Sequence, residues 1–389
     1  MPQIDGLRFI AIFSVFIFHV SEILNVKDKS IYYDAMCANS IWKTYISHGG
    51  YGVQLFFAIS GFILALPFVQ HYLAGAKQPV MKQYFLRRLT RLEPPYILIM
   101  ILLFVYIVFL QHKYTFNQLL PSLLASLTYS HNFFYGADIL PIVNPVAWTL
   151  EIEVQFYILA PLLAAFFFKS HNAYARRIKI ISAILVFIVI QQLYVFKFRW
   201  LYDQMQFFLL GFLLADLYVE PLNLQVSKWS AIISGALSLF GIWLYRPEAR
   251  DPFLWKVGWG VALPVMIFVL YYLALFTIFW KNIFSKKFLV VIGGMCYTIY
   301  LIHGPIISIV ANYLLKYQFS KWSPINYLII SVVFSLITLG ASCLFFIVVE
   351  RPCMQKDWYK RLLFLRKNVI VPARLNTNAL AEVERAQGI

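Results

Sequence analysis

Arg8 and His19 are the first residues whose types and spacing point to chemistry: they stand 11 positions apart inside one apolar run. On an α-helix that spacing is roughly 16 Å along the axis and only about 20° around it, so both side chains look to the same side. Arginine is a permanent cation suited to phosphate or carboxylate, and histidine takes and gives a proton near neutral pH. Such groups are costly inside an apolar span and mark a cavity or a partner. Asp5 precedes Arg8 by three residues and Glu22 follows His19 by three, each in helical reach for pairing. A structural account also fits, in which Arg8 snorkels to the interface and His19 is a hydrogen-bonded interhelical residue.

Further candidates follow along the chain. FLRRLTRLEPPY carries Arg87, Arg88 and Arg91, of which Arg88 and Arg91 share a helix face; the cluster suits bidentate phosphate binding or contact with anionic lipid headgroups. Glu93 with Pro94-Pro95 predicts a broken or re-entrant start to the following span. NPVAWTLEIEVQFY places Glu151, Glu153 and Gln155 near the outer end of another span. Glu151 and Glu153 are about 200° apart on a helix, so at most one faces the cavity of His19. One of them can position a hydroxyl or a cation, or both can sit at the water interface. In GGMCYTIYLIHGPI, Tyr300 and His303 are neighbours on one helix face and Tyr297 leads into the same stripe, as hydrogen-bonding groups or as an interfacial belt. Ser60-Gly61 permits close helix packing, and Gln54 is a polar intrusion. No GxSxG elbow, P-loop, GxGxxG or HExxH occurs, and Cys37, Cys296, Cys343 and Cys353 form no ligand spacing, so no metal or nucleotide-hydrolysis reading has support.

These residues must be positioned by membrane helices. Of 389 residues 61% are hydrophobic and 13% charged, against about half and a quarter in soluble domains. Runs of about 20 apolar residues cross a bilayer as helices. Ten are expected, at 7–24, 51–71, 93–111, 149–168, 178–196, 203–219, 229–245, 257–280, 288–315 and 325–349. The segment 115–147 is too punctuated to span, although Leu119–Leu127 can form a short interfacial or re-entrant helix. The first run lacks a basic leader and a small-residue cleavage site and reads as a retained helix. With the N-terminus inside, 22 of the 33 Lys and Arg fall in cytoplasmic segments and 11 outside. The net charge of +16 is thus an insertion signal and not a sign of nucleic acid. The expected fold is an all-α polytopic membrane protein of about ten transmembrane helices with both termini cytoplasmic and re-entrant segments. A transmembrane domain at 1–358 is followed by a basic cytoplasmic tail at 359–389.

The combination resembles the membrane acyltransferase-3 family, which includes O-acetyltransferases of surface polysaccharides, peptidoglycan and related acceptors. The resemblance covers nearly all of residues 3–353 and is carried by six strings in the family's order. They are IDGLRFIAIFSVFIFH, with Arg-x10-His at Arg8 and His19; GYGVQLFFAISGFIL; FLRRLTRLEPPY, with Arg-x-x-Arg at Arg88 and Arg91; AWTLEIEVQFY; CYTIYLIHGPI; and VERP at 349–352. Gln54 departs from it where many relatives carry an acid, as do Thr149 and Glu151 where serines are common.

The resemblance implies transfer of an acyl group, commonly acetyl from acetyl-CoA on the cytoplasmic side, to an acceptor hydroxyl reached from outside, in a bacterial inner membrane and without a metal. It implies His19 as the essential histidine, Arg8 as its paired arginine, Arg88 and Arg91 as the basic motif near the donor, Glu153 as the motif acid, and Tyr297, Tyr300 and His303 as the late aromatic-histidine motif. No fused extracytoplasmic hydrolase-like domain is apparent, which implies a one-domain version. Coenzyme A is polyanionic, so the arginines at the cytoplasmic mouth, Arg87 among them, suit its phosphates, and the Arg8–His19 spacing resembles the length of its pantetheine arm. His19 is then the general base of a direct transfer, with a covalent acyl-enzyme intermediate as the alternative, Glu22 an orienter, Asp5 the partner of Arg8, and Tyr300 or His303 a donor to the oxyanion. The acceptor is a carbohydrate or lipid-linked glycan, or alternatively a small secondary metabolite. Tyr32, Tyr33, Trp42, His48, His131, Asn132, Tyr135 and Asp138 in the presumed outer loops suit sugar contacts. A competing class is a transporter or flippase of acylated glycans, which has no evident need of a polyphosphate anchor.

Overall fold

The computed structural model describes residues 1–27, 46–136, 138–193, 199–222, 224–244, 252–317, 323–355 and Trp358. Tyr32, Tyr33, Cys37, Trp42 and the tail at 359–389 lie outside the described residues. Among the described residues the regular structure is entirely helical. In chain order the helices are α1 (Pro2–Lys27), α2 (Gly52–Ala74), α3 (Met81–Val105, continued by a π turn at Tyr106–Leu110), α4 (Phe116–Leu127), α5 (His131–Tyr135) and α6 (Trp148–Phe168). There follow α7 (Ala173–Leu193), α8 (Met205–Val219), α9 (Lys228–Gly241), α10 (Phe253–Phe276), α11 (Ile278–Phe284), α12 (Lys287–Gly294), α13 (Cys296–Leu314), α14 (Ser323–Phe345, continued by a π turn at Phe346–Glu350) and α15 (Arg351–Cys353).

Every expected span has a helix at its centre. Among the described residues, seven helical stretches are long and apolar enough to cross a membrane: Pro2–Leu24, Gly49–Ala74, Met81–Leu110, Pro145–Phe168, Phe253–Phe276, Cys296–Leu314 and Ile325–Cys353. The protein is an all-α polytopic membrane protein. Of the other expected spans, α8 and α9 have 15 and 14 residues, and α7 carries Arg176, Arg177 and Lys179 in its first two turns. The run expected at 288–315 is two helices meeting at Met295. Gly293, in the last turn of α12, lies so close to α1 that a Cβ there would overlap the Asp5 carbonyl.

Beyond that contact α13 runs beside α1 in the same direction. His303 meets His19, and Ile307 and Ala311 join Val20 and Leu24 in one buried cluster. On the other side of α1, α2 packs on α8 through Gly61 and Gly211, each facing the other helix's backbone with no room for a Cβ. Small residues at such crossings let helix backbones approach in lipid, where packing replaces hydrophobic drive. Phe57 and Phe156 stack on Phe208 beside this crossing, with ring centroids 4.7 and 4.1 Å away.

Pro94-Pro95 does not break its helix: α3 runs through both, contrary to the broken or re-entrant start expected there. A proline inside a helix removes the hydrogen bond to the carbonyl four residues earlier. Three such carbonyls are taken by side chains. The Trp358 indole donates to Thr90 O, freed by Pro94, at 3.0 Å. The Tyr84 hydroxyl donates to Tyr157 O, freed by Pro161, at 3.2 Å. Asn144 Nδ2 donates to Leu301 O, freed by Pro305, at 3.0 Å. Each latch ties a proline-containing helix to another segment.

The segment after α3 turns back into the bundle. Phe116 packs on Phe104, with centroids 5.4 Å apart. Tyr96 donates to Ser126 O at 2.9 Å, and Tyr129 stacks on Tyr96 and donates to Glu93 at 2.9 Å. Moving from Phe104 to Glu93 retraces about 16 Å of α3, so α4 is the re-entrant helix and not an interfacial one. At its tip Tyr129 has φ 53°, a left-handed conformation held by the stack and the Glu93 bond. At the far ends of α7 and α8, fully buried Arg176 bonds Asp216, Glu220 (2.6 Å) and the Ser170 carbonyl (3.0 Å), and Arg177 joins Asp216 at 2.7 Å. Two arginines there share one buried carboxylate, the kind of satisfied network that buried charge requires.

Candidate functional site

Two groups of polar residues lie along α1, the first shared with α2, α3, α6 and the end of α14 and the second with α13. The first is an arginine mouth. Arg8 donates to Asp5 at 2.7 Å, the i, i+3 pair expected from spacing. Arg8 also lies in electrostatic reach of Cys296 and Glu153. Arg88 sits over the Tyr84 ring at 3.9 Å and near that of Tyr157 at 5.4 Å, with Glu153 close by. Glu153 itself accepts from the Ser60 hydroxyl at 2.6 Å. Arg91 faces Glu350 at 3.8 Å. Glu350 is fully buried and accepts from the Thr298 hydroxyl at 2.6 Å and backbone N–H at 3.2 Å. Arg8, Arg88 and Arg91 thus gather around two carboxylates, Glu153 and Glu350. Arg87 is exposed, in electrostatic reach of Arg88.

The second group lies roughly 16 Å along α1. His19 Nδ1 is 2.8 Å from Val15 O and 3.3 Å from His303 Nε2, with ring centroids 4.9 Å apart. Among the described residues no hydrogen bond joins Glu22 to His19, so the ring is oriented by a carbonyl and a second imidazole where a carboxylate was expected. Tyr300 donates to Val146 O at 2.5 Å and meets the Thr149 hydroxyl. Its one proton is engaged there, and it would have to release Val146 before donating to a ligand. Tyr297 donates to Leu92 O at 2.8 Å, tying α13 to α3.

Glu151 is not at the water interface. It is fully buried and accepts from the backbone N–H groups of His131 (3.0 Å) and Asn132 (2.8 Å), fixing the re-entrant hairpin to α6. His131 and Asn132 are buried with it, so they are not part of an open outer loop. At the start of α6, Arg199 lies over the Trp148 ring at 5.0 Å. Burial lowers the Arg199 guanidinium from its ordinary value, and Asp138 and Asp203 oppose that shift. Gln54 donates to Gln204 Oε1 at 3.3 Å, and Gln155 Oε1 accepts from the Leu201 backbone at 3.0 Å.

Sequence reasoning gave Glu350 no role, although VERP was among the motif strings. A lone acid closing a long apolar run is the signal that would have found it. It also missed Asn144, whose partner follows from Pro305 minus four. No cluster of three or more His, Cys, Asp or Glu suited to a metal ion occurs among the described residues.

Comparison with known proteins agrees with these motifs. The acyltransferase domain family matches residues 1–347. The chain is 25% identical to an O-acetyltransferase OatA of Staphylococcus aureus (strain NCTC 8325 / PS 47) over 389 residues, 94% of this chain and 59% of that protein. It is 25% identical to a peptidoglycan O-acetyltransferase OatA of Listeria monocytogenes over 348 residues, 84% of this chain and 52% of that one. The chain therefore spans little more than half the length of these relatives. No solved structure matches it. With a single family match running from the first residue to the end of the last long helix, and the Arg8–His19 motif inside it, the chain belongs to the membrane acyltransferase-3 family.

Proposed function

We propose that the protein is a membrane O-acetyltransferase that moves an acetyl group from cytoplasmic acetyl-CoA to a hydroxyl of an extracytoplasmic carbohydrate or lipid-linked glycan, in the cytoplasmic membrane of a bacterium. The observation that carries this reading is the arrangement along α1. At one end Arg8 and Arg91 pair with the carboxylates of Asp5 and Glu350 beside Arg88, and a histidine pair on α1 and α13 stands roughly 16 Å from Arg8 along α1. A polyanionic donor needs the first, and a proton-transfer step needs the second. The relatives' names support the acceptor class, since one is a peptidoglycan O-acetyltransferase.

Arg8, Arg88 and Arg91 bind the phosphates of the donor through charge-assisted hydrogen bonds, which lets the thin pantetheine arm run along α1. His19 removes the proton of the acceptor hydroxyl as its oxygen attacks the thioester carbonyl. The C–S bond breaks, and the leaving thiolate takes the proton back from the imidazolium. Glu153, held by Ser60 and in electrostatic reach of both Arg8 and Arg88, biases the two guanidiniums toward the same side. A glycan channel without chemistry would leave the arginine cluster without a purpose.

The test is purified protein in nanodiscs with labelled acetyl-CoA and three acceptors: peptidoglycan fragments, a lipid-linked sugar and a small hydroxylated metabolite. Label on either of the first two supports the reading. Label on the metabolite alone replaces the acceptor class, and donor binding with no transfer to any acceptor refutes the enzyme.

A further inference from the structure

The hydrogen-bond partners of the two imidazoles fix where their protons are. His303 Nδ1 lies 3.0 Å from Ile299 O and 2.8 Å from Tyr300 O. Carbonyl oxygens only accept, so Nδ1 carries the hydrogen. His303 is fully buried on an apolar seam beside Phe16, and no ion pair with a carboxylate involves it among the described residues, so its neutral form is the one accommodated there. A neutral imidazole has one N–H, which leaves Nε2 a bare acceptor aimed at His19. His19 Nδ1 therefore faces two acceptors, Val15 O at 2.8 Å and His303 Nε2 at 3.3 Å, and must hold a hydrogen shared between them. The lone pair of His19 is then on Nε2, the nitrogen pointed away from both partners.

From this chain of donors and acceptors we infer that His303 is a positioning residue: it holds His19 in the Nδ1–H tautomer with Nε2 free to take the acceptor's proton. The inference rests on the transferase reading and deepens it. His303 does for His19 what a carboxylate does in a Ser-His-Asp triad, setting tautomer and orientation and accepting from the imidazolium once it forms. It does so without a charge, which suits a site packed among apolar side chains. The same geometry removes His303 from the oxyanion role expected of it, because its one hydrogen is spent on two backbone carbonyls.

Two measurements test it. The first is ¹⁵N NMR of histidine-labelled wild-type protein in nanodiscs, with the His19 signals identified by their loss in His19→Gln. The expected result is a neutral His19 protonated at Nδ1 and bare at Nε2; a proton on Nε2 instead overturns the proposal. This readout needs no turnover. Wild type that shows the tautomer but transfers no acetyl would sink the transferase reading alone. Active wild type with the other tautomer would sink only the role given to His303. The second compares His303→Leu, which fills the space without an acceptor, with His303→Gln, whose amide oxygen reaches the place of Nε2. The leucine variant is expected to lose about tenfold or more in kcat with KM for acetyl-CoA within about twofold, and the glutamine variant to recover most of the loss. Unchanged kcat in His303→Leu, or an equal loss in both, overturns it.

Discussion

The arginine mouth and the histidine pair share helix α1, yet they are built from opposite materials: the mouth also draws on α3, α6 and the end of α14, the pair only on α13. At the mouth every arginine faces a carboxylate or an aromatic ring: Arg8 meets Asp5, Arg91 meets Glu350, and Arg88 lies over Tyr84 with Glu153 beside it. Those partners are charges that an anionic ligand can displace or bridge. Around His19 the described residues supply no carboxylate partner, only the Val15 carbonyl and the His303 imidazole. Strong charge suits a place that must bind and release a polyanion. A neutral hydrogen-bonded chain suits a place that must move one proton without trapping it.

The contrast predicts that damage at the two places separates binding from turnover. The largest effect is expected from His19→Ala: kcat falls by about 10²- to 10⁴-fold while acetyl-CoA affinity, measured by calorimetry in nanodiscs, stays within about twofold. Arg8→Ala and Arg88→Ala do the reverse, raising KM for acetyl-CoA by roughly tenfold to a hundredfold each, since a hydrogen bond to a charged group contributes about 1.5–3 kcal/mol. Glu350→Gln keeps the acceptor for Thr298 but removes the carboxylate that competes for Arg91, and should lower KM about threefold, the scale of a weak ion pair.

Two of the latches act at a smaller scale. Trp358→Phe uncovers Thr90 O and should cost about 1 kcal/mol in thermal or denaturant unfolding with kcat unchanged. Asn144→Leu uncovers Leu301 O, between Tyr300 and His303, and should cost a similar amount of stability but also lower kcat. Arg87→Ala, exposed and outside the mouth, should change stability by less than about 0.5 kcal/mol and leave KM as it was.

Much of this was legible in the chain itself. The spans followed from apolar run length, and the Arg8–His19 axis and the Asp5–Arg8 pair followed from helical spacing alone. What failed was local grammar applied without tertiary partners. Pro94-Pro95 predicted a break, but the helix continues because the carbonyl freed at Thr90 finds Trp358, 268 residues away. Glu22 was offered to His19 by an i, i+3 rule, but the ring turns to His303, 284 residues away. Loop 112–148 read as an outer loop because α4 is too short and punctuated to span. Its return to Glu93 depends on Tyr96 and Tyr129, residues whose pairing no spacing rule encodes.

The most direct test of the division of labour is a single-turnover experiment with labelled acetyl-CoA bound to protein in nanodiscs and chased with a peptidoglycan-derived acceptor, in wild type and in His19→Ala. Both are expected to hold the donor, and only wild type to pass the label to the acceptor hydroxyl. Equal transfer by His19→Ala, or failure of that variant to bind acetyl-CoA at all, would contradict it.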